Sequence, residues 1–209
     1  MGPLDDALMA ARMRALATFA PDYFHDLKGP LNAIALRLEV LRSMPAGDAA
    51  DQKRGTALNA MEEQVRRLDR LLHRWLTLTT HSETAADACD LRVLMQEIFA
   101  LAAPAARKRG LPLAVEVPDD AVMARVGEAT AGTLLLDLVR HALTGASGTA
   151  CGMRLERNGS SARCHIHGAA FDDAATSLAL RIAKGFGGSC ALIANGGPSA
   201  ALLTLPLAS

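Results

Sequence analysis

Phe24-His25-Asp26-Leu27-Lys28-Gly29-Pro30-Leu31-Asn32 decides how this chain folds. Leu27, Leu31, Ile34, Leu38 and Leu41 follow at spacings of 4, 3, 4 and 3, an apolar heptad seam. Backwards the seam takes in Phe24, Ala20, Ala17 and Met13. His25 falls one residue off it, on the shoulder of the helix. Asp22, Lys28, Gly29 and Asn32 share its face, which is small and polar, so a side chain there points outward to where another protein can reach it. Asp26 is placed to orient the imidazole through Nδ1 and leave Nε2 as nucleophile. Gly29 has no side chain to obstruct a visitor one turn above His25. Pro21 and Pro30 flank the histidine, and each removes a helical hydrogen bond at about 3 kcal/mol or more. A bent helix at a working site is expected.

The stretch resembles the phospho-accepting histidine box of bacterial two-component histidine kinases. There a His followed by an acidic residue, with Pro-Leu-Asn five positions later, lies on the first helix of a dimerisation hairpin. His25-Asp26 and Pro30-Leu31-Asn32 match it. The segment around Arg67-Leu68-Asp69-Arg70-Leu71 resembles that hairpin's second helix. The resemblance implies that His25 carries a phosphoryl group, with Asp26 and Lys28 beside it in the chemistry. Asp22, Gly29 and Asn32 would then form the docking face for a partner.

The remaining pattern is consistent with this. Residues 5–43 read as one helix, residues 43–48 as a turn, and residues 51–80 as a second helix. Its seam is Leu58, Met61, Val65, Leu68, Leu72, Trp75 and Thr79, with Glu62–Arg66 and Glu63–Arg67 as supporting pairs. A lone hairpin leaves much of its seam bare, so two copies are expected to form a four-helix bundle. Residues 81–88 read as a polar linker. Beyond it, Asp90 is a candidate N-cap for a helix to about Arg109. A strand at 111–117, a helix at 128–144, two strands joined at Asn158-Gly159, a helix at 172–186 and a last hairpin across 195–198 follow. The expected class is α + α/β: a hairpin domain over residues 1–83, then an α/β sandwich over residues 89–209.

Composition bounds the function. Of 209 residues half are hydrophobic and only 3% aromatic, so aliphatic side chains must fill the core. Lys+Arg and Asp+Glu number 22 each, and equal numbers of each sign fall on either side of residue 85, which excludes a basic nucleic-acid surface. No run of about 18 apolar residues marks a membrane span, and no secretion signal is expected at the N-terminus. Cys89, Cys151, Cys164 and Cys190 show no paired spacing and read as small core residues of a cytoplasmic protein.

The second half resembles the ATP-binding domain of the same kinases, with departures. Residues 134–143 look like the family's asparagine box and residues 178–188 like its last helix. Where the family holds Mg²⁺ with asparagine, this chain has Asp137 and His141, and neutral His is a poor ligand for so hard a cation. Where the family reads adenine with an aspartate, Ile166 stands and cannot accept a hydrogen bond. The lid is reduced to residues 169–175, with no glycine and with Asp172 and Asp173, whereas a phosphate cradle needs close backbone N–H groups and no negative charge. No bound cofactor is expected. His165 and His167 share a strand face, but His141 and Cys164 are their only obvious neighbours and Cys164 points the other way, so no metal is expected either.

The expected function is a histidine phosphotransferase of a bacterial phosphorelay, exchanging phosphoryl groups with response-regulator receiver domains that supply their own Mg²⁺. A hybrid histidine kinase is a possible further partner. The alternatives are a divergent ATP-dependent histidine kinase whose Asp137 has taken over magnesium, and a non-catalytic scaffold that binds a response regulator. A phosphatase would need Thr, Asn or Gln at position 29 to orient water, which Gly29 does not provide.

Overall fold

The computed structural model describes residues 3–45, 48–79, 88–144, 150–168, 171, 173–193 and 200–208. The chain forms two compact units: Pro21–Thr80, and Met1–Ala20 together with His81–Ser209. The division therefore runs through the first helix at Pro21 as well as through the linker.

Helix α1 spans Pro3–Ser43 and α2 spans Asp48–Thr79. α1 continues through both Pro21 and Pro30. Within the hairpin unit it buries Tyr23, Leu27 and Pro30 and half-buries Ile34. Arg54 on α2 closes the end of α1, donating to the carbonyls of Met44 and Pro45 at 3.2 Å each while holding Asp51 at 2.8 Å; a cation suits a helix C-terminus. Of the expected surface pairs, Glu62–Arg66 forms at 2.5 Å. Glu63 reaches Arg70 at 3.2 Å instead of Arg67. Ala46 and Gly47 of the expected turn lie outside the described residues.

The expected seams divide into two rows. Leu27, Ile34, Met61, Leu68 and Trp75 are buried or half-buried. Phe24, Leu31 and Leu38 on α1, and Leu58, Val65 and Leu72 on α2, repeat every seven residues and remain 42% to 55% exposed. In a heptad repeat the a and d rows diverge slightly around the helix. One neighbour covers one row and leaves the other bare.

In the α/β unit the opening of α1 buries Ala11, Arg12, Ala15 and Phe19. Asp90 caps α3 (Leu91–Lys108) as expected, its Oδ1 accepting from Arg92 N at 3.0 Å and from Val122 N at 3.1 Å. The second bond ties the cap to a two-stranded ribbon of β1 (Cys89–Asp90) and β3 (Met123–Ala124). The main sheet comprises β2 (Leu113–Glu116), β4 (Cys151–Asn158), β5 (Ser161–His167), β6 (Ser189–Ile193) and β7 (Ala200–Pro206), in the order β2-β4-β5-β7-β6. Only β2–β4 is parallel. Helices α3, α4 (Glu128–Thr144) and α5 (Asp173–Gly185) pack on one face. Their apolar sides meet Cys151, Met153, Leu155, Cys164, Ile166, Leu203 and Leu205, all buried. At the end of α5, Gly187 takes φ +77, and Gly188 N donates to Ala183 O at 2.8 Å, the 6→1 bond of a Schellman cap. A methyl on Gly188 would run into the Thr204 carbonyl oxygen. The expected last loop, residues 195–198, lies outside the described residues.

The bare apolar rows call for a second hairpin. Leu38→Glu combined with Val65→Glu is expected to yield a monomer with wild-type helix content, because both side chains are exposed within one chain. Light scattering checks this; a wild-type monomer at micromolar concentration would contradict it.

Candidate functional site

His25 sits on α1 between the two prolines and is exposed. Lys28, Gly29 and Asn32 are exposed beside it; Asp22 and Asp26 are half-buried. A Cβ built on Gly29 meets nothing within 4 Å, so the space above the imidazole is open. Among the described residues, His25 makes no hydrogen bond, to Asp26 or to any other group. The six positions picked out from the sequence thus form one patch around an exposed imidazole.

Sequence reasoning missed what lies behind the patch. Tyr23 is fully buried and its hydroxyl donates to the Leu71 carbonyl on α2 at 2.6 Å. Its ring stacks on Trp75 at 5.6 Å and 25°, and Phe24 packs against Trp75 at 4.9 Å. The signal was compositional: these are the only Tyr and the only Trp of the chain.

At the second site, Asp137 on α4 is buried and its Oδ1 accepts from Arg140 Nε at 3.0 Å and Nη2 at 2.8 Å. Arg140 Nη2 also lies 2.6 Å from His141 Nε2. A guanidinium has no acceptor, so Nε2 must accept and His141 carries its proton on Nδ1. A carboxylate gripped by its own helix is not presented to Mg²⁺, and a neutral imidazole occupied by a guanidinium is not either. Ile166 is 1% exposed on β5, facing the helices. Gly168 lies so close to α4 that a Cβ there would stand 2.6 Å from Ala142 Cα and Cβ. These residues do not fit Mg-ATP bound in the family's manner. Of the short lid, Ala169, Ala170 and Asp172 lie outside the described residues.

On the helix-free face, the rings of His165 and His167 are parallel, 6.2 Å apart. His165 Nε2 lies 3.1 Å from Glu156 Oε1. Partial burial, then His165 and Arg154, lower the pKa of His167, opposed by Glu116. Cys164 is on the buried face, and no three metal-binding side chains converge among the described residues. No helix among them is long and apolar enough to cross a membrane.

The chain thus carries a helical hairpin with an exposed histidine box, followed by an α/β domain, and it is similar to known proteins in both parts. Residues 15–84 match the family His Kinase A (phospho-acceptor) domain. The sensor histidine kinase MtrB of Mycobacterium leprae is 26% identical over 129 residues, covering 60% of this chain and 23% of MtrB. The chain spans about a quarter of the length of the curated relatives it matches. Among solved structures, histidine kinase AdeS of Acinetobacter baumannii aligns with a TM-score of 0.51 at 14% identity, over 88% of this chain and 98% of AdeS. The catalytic domain of histidine kinase ThkA aligns with a TM-score of 0.51 at 14% identity, over 57% of this chain and 94% of that domain. ThkA in complex with the response regulator protein TrrA aligns with a TM-score of 0.51 at 13% identity, over 94% of this chain and 63% of ThkA. Residues 15–84 thus match a phosphoacceptor-type histidine kinase domain, and the α/β unit that follows shares the fold of a histidine kinase catalytic domain.

Arg140→Ala strands a buried carboxylate and is expected to cost about 3 kcal/mol of stability. Arg140→Leu combined with Asp137→Leu should cost far less than the two single changes added. Urea unfolding of wild type, Arg140→Leu, Asp137→Leu and the double variant reads that coupling.

Burial raises the pKa of all four thiols: Cys89, helped by Glu128 and Asp90, and Cys164 to about 12, Cys190 to about 11, and Cys151 upward against Arg109. Thiolate is the reactive form. A colorimetric disulfide reagent at pH 8 is therefore expected to titrate none in the native protein and four after unfolding.

Proposed function

We propose that His25 is the phosphoacceptor of a two-component relay and that its donor is a receiver-domain aspartyl phosphate, not ATP. The imidazole Nε2 attacks phosphorus in line, the N–P bond forms, and the P–O bond to the receiver carboxylate breaks. That carboxylate leaves, and the displaced ring proton passes to solvent. The reverse step loads a second receiver. Such transfer is mostly positioning and charge neutralisation. The receiver supplies its aspartate and Mg²⁺, while this chain supplies an exposed imidazole, with Lys28 near the phosphoryl oxygens and Asp26 taking up the Nδ1–H only when the ring turns toward it on docking. Asp22, Gly29 and Asn32 form the docking face. The reaction takes place in the cytoplasm, on a homodimer.

The observation that carries this reading is the Arg140 grip on Asp137. It ties Asp137 Oδ1 to its own helix while the His25 patch stands open.

A second reading, a divergent ATP-dependent histidine kinase, has the relatives in its favour, since MtrB is a sensor histidine kinase. Two measurements separate them. With receivers phosphorylated by acetyl phosphate, wild type should gain base-stable, acid-labile phosphate and His25→Ala none. Calorimetry with Mg-ATP should show no binding; a micromolar dissociation constant and labelling from ATP alone would establish the kinase.

A further inference from the structure

The chain is poor in aromatic residues, with one Tyr, one Trp and five Phe in 209 residues. Its Tyr, its Trp and one Phe nevertheless meet in a single cluster directly before His25. Trp75 stacks on Tyr23 and packs against Phe24. Tyr23 is the largest fully buried side chain in the protein, and its hydroxyl crosses the hairpin to Leu71 O at 2.6 Å, a short hydrogen bond.

Helix geometry connects this cluster to the chemistry. Residues two apart are about 200° apart around a helix, so the face that carries Tyr23 inward carries His25 outward. The helix itself holds this rotation less firmly than usual. Pro21 and Pro30 lack the N–H groups that would bond Ala17 O and Asp26 O. The helical bonding is thus interrupted on both sides of His25, and a tie from Tyr23 to the other helix takes over that role.

We infer that Tyr23 is a positioning residue for His25: its hydroxyl bond to Leu71 O and its stack on Trp75 set the rotation of α1 between the two prolines, and so the angle at which the imidazole meets a phosphorylated receiver. This rests on His25 being the phosphoacceptor. Tyr23 touches neither phosphorus nor the attacking nitrogen.

The test is Tyr23→Phe, which removes one oxygen and keeps the ring. With receiver domains phosphorylated by acetyl phosphate, the transfer rate at saturating receiver is expected to fall about tenfold. The half-saturating receiver concentration, helix content and dimer mass should stay at wild-type values. Trp75→Leu, which removes the stack and keeps the hydroxyl, should slow transfer similarly. Tyr23→Phe at the wild-type rate overturns the proposal. A second readout needs no partner: the ring Cε1–H signal of His25 by NMR, narrow and single in wild type, should broaden or split in Tyr23→Phe. Identical signals also overturn it. Wild type that takes label from no receiver removes the phosphoacceptor reading, and the NMR comparison then decides the positioning role alone.

Discussion

Two helices joined by a short turn can bury only one line of side chains between them. The hairpin here carries two lines, because a heptad repeat supplies an a row and a d row on each helix. Leu27 and Ile34 turn inward; Leu31 and Leu38 do not. The excess apolar surface marks where a second hairpin would pack. His25 lies off that row, exposed among Lys28, Gly29 and Asn32. The exposure of His25, the proposed phosphoacceptor, thus follows from the packing of its neighbours on α1.

The α/β domain shows the same fold economy with the opposite result. Its sheet order, caps and buried alternation are those of a sound domain, and its resemblance in fold to kinase catalytic domains is clear. Asp137 is bound by Arg140 three residues on, and Ile166 joins the core on β5. Arg140 compensates a buried charge, and Ile166 adds apolar area.

Much of this was legible in the residue order because the signals are local. Periods of 3.5 and 2 residues, Asp90 before an apolar helix and Asn158-Gly159 between strands all act within a few positions. What escaped was either too short or too far apart. β1 and β3 are two residues each, below the length at which alternation can register. The partner of Tyr23 lies 48 residues away. Of the two nitrogen-bearing side chains within reach of Asp137 on its own helix, nothing in the spacing selects Arg140 over His141. The two rows of the seam look equivalent in the sequence; only packing separates the inner from the outer. The clustering of the His25 patch was legible, since all six of its residues lie on one face of one helix; the spacing did not show that Asp22 and Asp26 are half-buried.

The two prolines of α1 stand nine residues apart, two and a half turns, and so on opposite sides of the helix. Their burial agrees: Pro21 is exposed and Pro30 is buried. Each proline removes one helical hydrogen bond, so the two losses fall on opposite sides of α1, one on either side of His25. The segment that carries the imidazole is thus bounded at both ends by a missing backbone bond, and neither side of the helix carries both losses.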